Sequence, residues 1–374
     1  MIDRICEKSK CTACFACLNV CPVNAITIKP DAFGSAYPVI ANNCTECGLC
    51  KKTCPSNSPL ELKKPLSACA VFSRDKKTRN ASTSGGMIFT AAKEFDGVVY
   101  GAAYSGDLNV ECMRFENKDN LYKTQSSKYV HSFINLQFRN VKKDLENGKR
   151  VLFTGTPCQV AGLKNYLKKD YEGLYTVDFV CHGVSDREHL KAFIKSEFLS
   201  LDFKKAAVRF RDGKGYHMTV WEGEDYKGEL PFNQNFYFHG FLEGWSLREN
   251  CHICPYASIN RCSDLTACDC WGSKNESIMR EMKNGLSGVL VNTEKGRELL
   301  ESVKPSCEII QSSVDEAQSG IAHLKAPSPV TDYSRRFHSL NKKRGAYFAF
   351  KNTVLKKKIV FKLRKIKNAG NSNN

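Results

Sequence analysis

The sequence predicts a chain of mixed α+β and α/β class, with a small cysteine-rich N-terminal domain, a larger α/β body and a basic helical tail. Three observations support this prediction: a cysteine pattern that occurs twice near the start, strands that alternate with helices after it, and positive charge concentrated at the end. A length of 374 residues, 42% hydrophobic and 25% charged, suits two or three globular domains. The 19 cysteines, an odd number in a chain without a signal-peptide pattern, indicate metal or redox chemistry rather than disulfides.

The cysteine pattern near the start has gaps of two, two and three residues, and a proline follows the fourth cysteine. It occurs at Cys11, Cys14, Cys17 and Cys21, and again at Cys44, Cys47, Cys50 and Cys54. In such a pair of runs, three cysteines of each run bind one 4Fe-4S cluster and the fourth binds the neighbouring cluster. The pattern therefore predicts a small ferredoxin fold, with one cluster on Cys11, Cys14, Cys17 and Cys54 and the other on Cys44, Cys47, Cys50 and Cys21. Zinc is the alternative, but zinc sites favour paired C-x2-C knuckles with four ligands.

After a polar, proline-containing linker over 56–66, predicted strands alternate with predicted helices. We expect strands at 68–72, 98–102, 150–155, 175–180 and 287–292, and helices at 87–95, 159–169 and 294–303. Two of these strands are followed by a cysteine, Cys158 and Cys181, at the carboxyl edge of an expected parallel sheet, where α/β proteins form their sites. Each cysteine alone would more simply be a small buried apolar residue. Together with the pair Cys251 and Cys254, they offer four thiolates for a third cluster.

A Ser-Gly-Gly turn at Ser84 to Gly86 leads into the predicted helix over 87–95. A helix start presents free backbone N–H groups and favours an anion such as a phosphate, although an ordinary capped helix start has the same pattern. The sequence contains no Walker loop, no G-x-G-x-x-G and no H-E-x-x-H motif. Standard nicotinamide binding, P-loop hydrolysis and zincin chemistry are therefore disfavoured.

Six motifs along the body follow one another in an order that resembles one protein family. They are Ser84-Gly85-Gly86, Ser127-Lys128-Tyr129-Val130, Gly155-Thr156-Pro157-Cys158-Gln159, Cys181-His182-Gly183-Val184, Cys251-x2-Cys254 and Asp269-x-Trp271-Gly272. In this order they resemble the coenzyme F420 hydrogenase/dehydrogenase beta-subunit family, here fused to an N-terminal bacterial-type ferredoxin domain with two 4Fe-4S clusters. The resemblance implies a dicluster domain over 1–60, an N-terminal-like part over 67–145, a C-terminal-like part over 146–330 and a basic tail over 335–374.

The resemblance also implies FAD and a 4Fe-4S cluster in the body, with coenzyme F420 as a further candidate ligand. Ser84, Gly85 and Gly86 would lie on the FAD pyrophosphate, and Lys128 near the flavin or its phosphates. The third cluster would be bound by Cys158, Cys181, Cys251 and Cys254. Three further cysteines are rivals for these positions, namely Cys262, Cys268 and Cys270. His182 is a candidate proton donor near the flavin, or else a structural histidine at a strand end.

These features together predict an iron–sulfur flavoprotein oxidoreductase. A flavin takes up two electrons and releases them one at a time, and 4Fe-4S clusters accept single electrons. Clusters and FAD would therefore pass electrons to or from a small-molecule substrate or a deazaflavin coenzyme. The alternative is an electron-transfer subunit of a larger complex, without substrate chemistry of its own. The expected partners are an electron donor or acceptor protein, or a small redox coenzyme.

The tail carries most of the net charge of +17. Residues 335–374 contain thirteen Lys and Arg and no acid, so the body is close to neutral, which argues against a nucleic-acid surface. Apolar residues recur there at helical spacing, at Phe348, Leu355, Ile359, Leu363 and Ile366. This pattern predicts a helix that docks on an anionic membrane or an acidic partner, unless the tail is solvated or packs on the body. Since no apolar run is long enough to span a membrane, we expect a cytoplasmic protein that is peripheral at the membrane through this tail.

Overall fold

The computed structural model of the protein describes residues 2–211 and 215–371, and for residues 360–371 it describes the backbone alone. The strands are β1 (Ile26–Pro30), β2 (Ala36–Ile40), β3 (Ser67–Ser73), β4 (Val98–Tyr104), β5 (Val110–Phe115), β6 (Val151–Thr154), β7 (Leu174–Phe179), β8 (Ala206–Phe210), β9 (Met218–Glu222), β10 (Asp225–Leu230), β11 (Leu265–Cys268), β12 (Ser287–Val291) and β13 (Cys307–Ser312). The α-helices are α1 (Ala16–Val20), α2 (Leu49–Thr53), α3 (Lys76–Ala81), α4 (Met87–Glu94), α5 (Gln137–Glu146), α6 (Pro157–Leu167), α7 (Arg187–Glu197), α8 (Phe236–Leu242), α9 (Glu276–Met282), α10 (Glu294–Ser302), α11 (Val314–Gln318), α12 (Asp332–Arg344) and α13 (Ala346–Asn371). Short 3-10 helices lie at Ile2–Arg4, Lys8–Lys10, Leu121–Thr124, Glu249–Ile253 and Ala322–Leu324.

In the described part of the chain, the body is built on one eight-stranded sheet in the order β13-β3-β12-β11-β7-β6-β4-β5. The central strands β11, β7, β6 and β4 are parallel, and the other pairings are antiparallel. The sheet is therefore mixed, and the prediction of a parallel sheet is correct only for its centre. One reason is the short turn between β4 and β5, which permits only antiparallel pairing. Strands of both predicted body parts, 67–145 and 146–330, lie in this single sheet.

The parallel centre brings two of the predicted cysteines to one edge of the sheet. Helix α6 begins at Pro157, directly after β6, and its start is closed by a capping box between Thr156 and Gln159. Cys158 therefore lies in the first turn of α6. Cys181 follows β7, which pairs with β6 in parallel, so the two cysteines leave neighbouring strands at the same end.

The duplicated cysteine pattern folds as a structural repeat. Helix α1 begins after Phe15 and α2 begins after Gly48, and these two residues have positive φ values of 64° and 72°. Ala13 and Glu46, two residues earlier in each run, also have positive φ values, of 49° and 54°. Strands β1 and β2 pair antiparallel between the two runs. Both runs therefore bend in the same way, as their equal spacing predicts.

The N-terminal domain shares an apolar core with the body. Cys14 and Phe15 are buried in one cluster with Phe138 of α5 and Val160 of α6. The predicted linker is also attached, because Lys63 and Arg261 exchange two backbone hydrogen bonds of 2.9 and 2.8 Å. The domain is thus packed against the body rather than tethered to it.

Two buried or half-buried arginines add polar contacts to this junction. Arg139 of α5 donates hydrogen bonds to the backbone carbonyls of Asn19 and Cys21, each at 2.8 Å. Arg248 forms a buried ion pair with Asp186, with 2.7 Å between Nη1 and Oδ1, and its Nη2 donates to the carbonyl of Ala36 in β2 at 3.0 Å. These contacts satisfy backbone carbonyls that the junction would otherwise bury without partners.

Asp144 connects helix α5 to the edge of the large sheet. Its carboxylate accepts hydrogen bonds from the Tyr100 hydroxyl at 2.6 Å and from Arg114 Nε and Nη2 at 2.7 and 2.8 Å. Burial raises the pKa of Asp144, but the hydrogen bonds from Arg114 and Tyr100 outweigh burial and hold the pKa below its ordinary value. The carboxylate is therefore the favoured form in the folded protein.

The first part of the tail belongs to the core of the body. Phe337 of α12 and Ala349, Phe350 and Val354 of α13 are buried, and the ring centroids of Phe337 and Phe350 lie 4.6 Å apart. The expectation that the tail is a docking element outside the body is therefore wrong for this stretch. The physical reason is that α13 packs against α7 and α8. Gly240 of α8 leaves room for the Phe350 ring, because an added Cβ there would be 2.8 Å from ring atoms of Phe350.

The predicted apolar stripe of the tail is on a different face of α13. Phe348, Leu355 and Ile359 are 38, 41 and 58% exposed. Leu363 and Ile366 lie outside the side chains that the structure describes. In the described part of the chain, no helix is both long enough and apolar enough to span a membrane.

Candidate metal centre and flavin site

The structure brings together the four cysteines predicted for the first N-terminal cluster. Cys11, Cys14, Cys17 and Cys54 are all buried. Burial raises the pKa of Cys17 well above its ordinary value, and the neighbouring thiols of Cys14, Cys11 and Cys54 raise it further. Since a cluster needs deprotonated sulfur, iron binding would have to displace these protons. Four thiols in one buried position are a donor set that fits a 4Fe-4S cluster.

The cysteines predicted for the second cluster lie nearer the surface. Burial raises the pKa of Cys50, and the thiols of Cys44 and Cys47 raise it further, so these three side chains lie close together. Cys47 is exposed and Cys44 and Cys50 are half-buried. Cys21 is buried in the apolar cluster against which Cys44 and Cys50 pack. The four residues therefore lie together, at the solvent side of the domain.

Sequence reasoning missed Cys6, which lies beside the first cluster site. The hydrogen bonds between its thiol and those of Cys11 and Cys54 raise the pKa of Cys6 and lower those of its two partners. Cys6 is 5% exposed. It lies outside the repeated spacing, so no spacing rule could have found it.

The four cysteines predicted for the third cluster line a single pocket at the carboxyl edge of the sheet. They come from the first turn of α6, from the segment after β7 and from the 3-10 helix Glu249–Ile253 and its end, and they are Cys158, Cys181, Cys251 and Cys254. Other walls of the pocket include Thr12 of the N-terminal domain, His131 and Tyr256. Four thiols on one pocket fit an iron–sulfur cluster, although zinc accepts the same donors.

Electrostatics link these four thiols. Burial raises the pKa of Cys158 well above its ordinary value, and the thiols of Cys254 and Cys181 raise it further. Burial likewise raises the pKa values of Cys181 and Cys251 to about 12. Protonated thiols at neutral pH are the expected state of such a site without its metal, and metal binding would release the protons.

Among the described residues that line this pocket, none is one of the three rival cysteines. Cys268 and Cys270 lie against Gly288 of β12, where an added Cβ would be 2.6 and 3.4 Å from their sulfur atoms. Cys262 is buried behind the start of α6, with its sulfur 3.7 Å from the carbonyl oxygen of Pro157. In the part of the chain that the structure describes, no three His, Cys, Asp or Glu side chains form a site for a single metal ion.

The two segments predicted to bind FAD lie next to each other. The backbone N–H of Ser127 donates to the Thr83 hydroxyl at 2.8 Å, which joins the loop of Lys128 to the Ser-Gly-Gly turn. Gly86 has a φ of 81° and immediately precedes α4. Gly85 lies directly on the sheet, because an added Cβ would be 2.2 Å from the carbonyl oxygen of Val71. Glycine is thus required here for the packing of the turn, whatever the turn binds.

The predicted flavin-binding side chains have partners within the protein. Lys128 Nζ donates to the carbonyls of Thr124, Gln125 and Ser126 at 3.2, 2.9 and 3.2 Å, and burial lowers its pKa to about 7. The Ser84 hydroxyl donates to the carbonyl of Leu286 at 2.7 Å. The donors that fit a pyrophosphate here are the first backbone N–H groups of α4, which have no partners within the helix. The flavin role of these residues stays a prediction.

His182 is fully engaged in hydrogen bonds. Its Nδ1 lies 2.6 Å from His323 Nε2, and its Nε2 lies 2.9 Å from the carbonyl oxygen of Phe241. A carbonyl can only accept, so Nε2 of His182 carries the proton and Nδ1 accepts from His323. Burial and the neighbouring His323 lower the pKa of His182 to about 4, so the ring is neutral at pH 7. Its predicted role as a proton donor stays a prediction.

Comparisons with known proteins find a separate family match for each of two parts of the chain. Residues 148–317 match the family described as the C terminus of the coenzyme F420 hydrogenase/dehydrogenase beta subunit. Residues 10–58 match the 4Fe-4S dicluster domain. No curated protein matches the chain. A solved chain from the F420-reducing NiFe hydrogenase complex of Methanosarcina barkeri is 16% identical, with 78% of this chain and 92% of that chain covered and a TM-score of 0.46.

The family match covers the β6–α6 unit with Cys158, the segment after β7 with Cys181, and the pair Cys251 and Cys254. The dicluster match covers both repeated cysteine runs. The chain therefore joins a 4Fe-4S dicluster domain to a body whose residues 148–317 match the C-terminal part of the coenzyme F420 hydrogenase/dehydrogenase beta-subunit family.

Proposed function

We propose that the protein is an iron–sulfur flavoprotein oxidoreductase. It would pass electrons between two ferredoxin-type clusters, a third 4Fe-4S cluster on Cys158, Cys181, Cys251 and Cys254, and FAD, in order to reduce or oxidise a small molecule or a deazaflavin coenzyme such as F420. The observation that carries the proposal is the single pocket lined by these four cysteines and by Thr12 of the N-terminal domain. The dicluster domain would be 1–60, and the body parts 67–145 and 146–330 would share the remaining cofactors.

The cofactors would supply the conversion between two-electron and one-electron chemistry. The residues of the chain would supply the binding and the exclusion of water. Cys251 is 8% exposed and Tyr256, on the pocket wall, is 7% exposed, so a group bound there would be well shielded from solvent. The start of α4 would hold the pyrophosphate of FAD through backbone N–H groups.

The test compares cysteine variants of the full-length protein, purified without oxygen. Cys158→Ser and Cys254→Ser should each lower the iron content by about four per chain, which is one cubane. Cys268→Ser is the matched control, because Cys268 is also buried but lies beside Gly288, and its iron content should equal that of the wild type. Iron loss in the control alone, or zinc in place of iron, would contradict the proposal.

A second candidate function is an electron-transfer subunit whose substrate chemistry takes place in a partner chain. It is favoured by the observation that Lys128 and His182, the two side chains predicted to act at the flavin, already have hydrogen-bond partners within the protein. Turnover of coenzyme F420 or an artificial dye by the purified chain alone would favour the oxidoreductase. Full cluster and flavin occupancy without turnover would favour the subunit.

The exposed stripe of α13 suggests a docking role for the end of the chain. Phe348, Leu355 and Ile359 are exposed, and each lysine close to an anionic membrane contributes about 1 kcal/mol of binding. We propose that this face rests on an anionic membrane surface. Ile359→Asp should abolish salt-sensitive binding to phosphatidylserine vesicles without loss of iron. If the wild-type protein ignores such vesicles at low salt, an acidic protein partner replaces the membrane in the proposal.

A further inference from the structure

A glycine of helix α6 allows the N-terminal domain to approach the third-cluster pocket. Gly162 lies four residues after Cys158, so both residues lie on the same side of α6. A Cβ at Gly162 would be 2.9 Å from the sulfur of Cys14 and 3.0 Å from its Cβ. One face of α6 thus presents a ligand of the third-cluster pocket and, one turn later, contacts a ligand of the first cluster.

Two further observations place the first cluster site against this pocket. Thr12, which lies between Cys11 and Cys14, lines the pocket. Cys14 lies in the same apolar cluster as Cys158, Cys254 and Tyr256.

The second cluster site is more exposed to solvent than the first. Cys47 is exposed, as are Thr45 and Glu46 beside it. Cys54, at the end of the second run, is buried with the first cluster site. The second site therefore has the solvent-exposed cysteine, whereas the first site has the cysteine that contacts α6.

We propose that electrons pass between the N-terminal domain and the body at the contact of Cys14 with α6, so that the relay runs from the second cluster site to the first and then to the third. Gly162 is the positioning residue of this contact. The inference rests on the proposed function, because it assumes a cluster on Cys158 and its three companions. Each step moves one electron, which oxidises the site that gives the electron up and reduces the next site. An external one-electron donor supplies the electrons to the relay.

The helix itself gives no reason for a glycine at this position. Glycine in a helix interior is less favourable than alanine by about 1 kcal/mol, and Gly162 lies in the middle of α6. An alanine there would force Cys14 to move, because real Cβ atoms do not approach sulfur this closely. The close approach of Cys14 accounts for the glycine.

The first test removes one cluster at a time from the full-length, anaerobically purified protein and measures the magnetic interaction between reduced clusters by electron paramagnetic resonance (EPR). Cys47→Ala should lose about four irons and keep the interaction between the remaining two clusters. Cys14→Ala should lose about four irons and show two clusters that do not interact. A retained interaction in Cys14→Ala after this iron loss would overturn the inferred order.

The second test leaves every ligand in place. Gly162→Ala should keep the full iron content and lose much of the interaction between the first and third clusters, whereas Lys164→Ala, a half-buried position on the same helix, should not change it. An unchanged spectrum in Gly162→Ala would overturn the role of Gly162. Failure of the proposed function is a separate result, because it appears as only about eight irons in the wild-type protein.

Discussion

Arg248 and Asp186 form a buried ion pair at the junction between the N-terminal domain and the body. Their side chains are 0 and 3% exposed, with 2.7 Å between Nη1 and Oδ1. Arg248 also donates to the carbonyl of Ala36 at 3.0 Å, and the Ser35 hydroxyl donates to Asp186. The substitution Arg248→Met keeps much of the side-chain volume and removes the charge. It would leave Asp186 as a buried carboxylate without its counter-ion.

Removal of one partner from a buried ion pair costs about 3–5 kcal/mol, which is a large share of the 5–15 kcal/mol that stabilises a typical protein. Burial raises the pKa of Asp186, but Arg248, together with His189, the Ser35 hydroxyl and His131, outweighs burial and holds the pKa below its ordinary value. Loss of Arg248, the strongest of these four, would raise the pKa of Asp186 and favour its protonation. The stability loss in Arg248→Met should therefore shrink as the pH falls from 7 towards about 4.

Urea denaturation under anaerobic conditions, followed by tryptophan fluorescence, measures this loss. Arg297→Met is the matched control, because Arg297 pairs with Glu294 at the surface, and a surface substitution should change stability by less than about 0.5 kcal/mol. Adding Asp186→Leu to Arg248→Met should recover much of the loss, since an apolar pair in place of a buried ion pair is often neutral. A loss below about 1 kcal/mol, or a double variant no more stable than the single one, would show that the buried ion pair does not stabilise the junction in this way.

Changing Cys14 and Cys47 together to alanine should remove about eight irons and leave the flavin bound; iron analysis that finds no change would show that the ligand assignment is wrong. Asp144→Asn should lower the unfolding free energy at pH 7 by about 1–3 kcal/mol. The folded pKa of Asp144 lies below its ordinary value. Its contribution to the unfolding free energy is therefore present above about pH 3.9 and lost as the pH falls through the folded pKa. The urea midpoints of variant and wild type should thus converge in acid, and a difference that stays constant with pH is the contrary result. Phe350→Ala should cost about 3–5 kcal/mol and Leu355→Ala, at an exposed position of the same helix, less than about 0.5 kcal/mol; equal losses in thermal or urea unfolding would argue that Phe350 is not in the core.

The grouping of the N-terminal cysteines could be predicted because their positions depend on local spacing. Three cysteines within seven residues reach one site only if the chain bends tightly, and the positive φ values of Ala13 and Phe15 provide that bend. The same holds for Cys158, because a strand followed by a helix start defines the end of a sheet from local sequence alone.

The junction between the domains could not be predicted, because it depends on residues that are far apart in the chain. The sequence alone does not distinguish Gly162 from the other residues of α6. Its importance follows only from the contact with Cys14. Arg248 and Ala36 are separated by 212 positions. Neither contact follows from periodicity, spacing or charge, since each requires the docked position of one domain on the other.

The tail shows why an apolar pattern can predict a helix and still misplace it. Helix α13 has two apolar faces, one with Ala349, Phe350 and Val354 and the other with Phe348 and Leu355. Both faces have helical spacing. Only the packing of α13 against the body distinguishes the buried face from the exposed one, and that packing is a long-range contact.

The number of irons, acid-labile sulfides and flavins in the full-length protein, purified without oxygen, is the most direct test of the three-cluster assignment. Three clusters predict about twelve irons and about twelve sulfides per chain, together with releasable FAD. About eight irons without flavin would describe a dicluster ferredoxin joined to a body that carries no redox group. That result would contradict the proposal that Cys158, Cys181, Cys251 and Cys254 bind a third cluster in a flavoprotein.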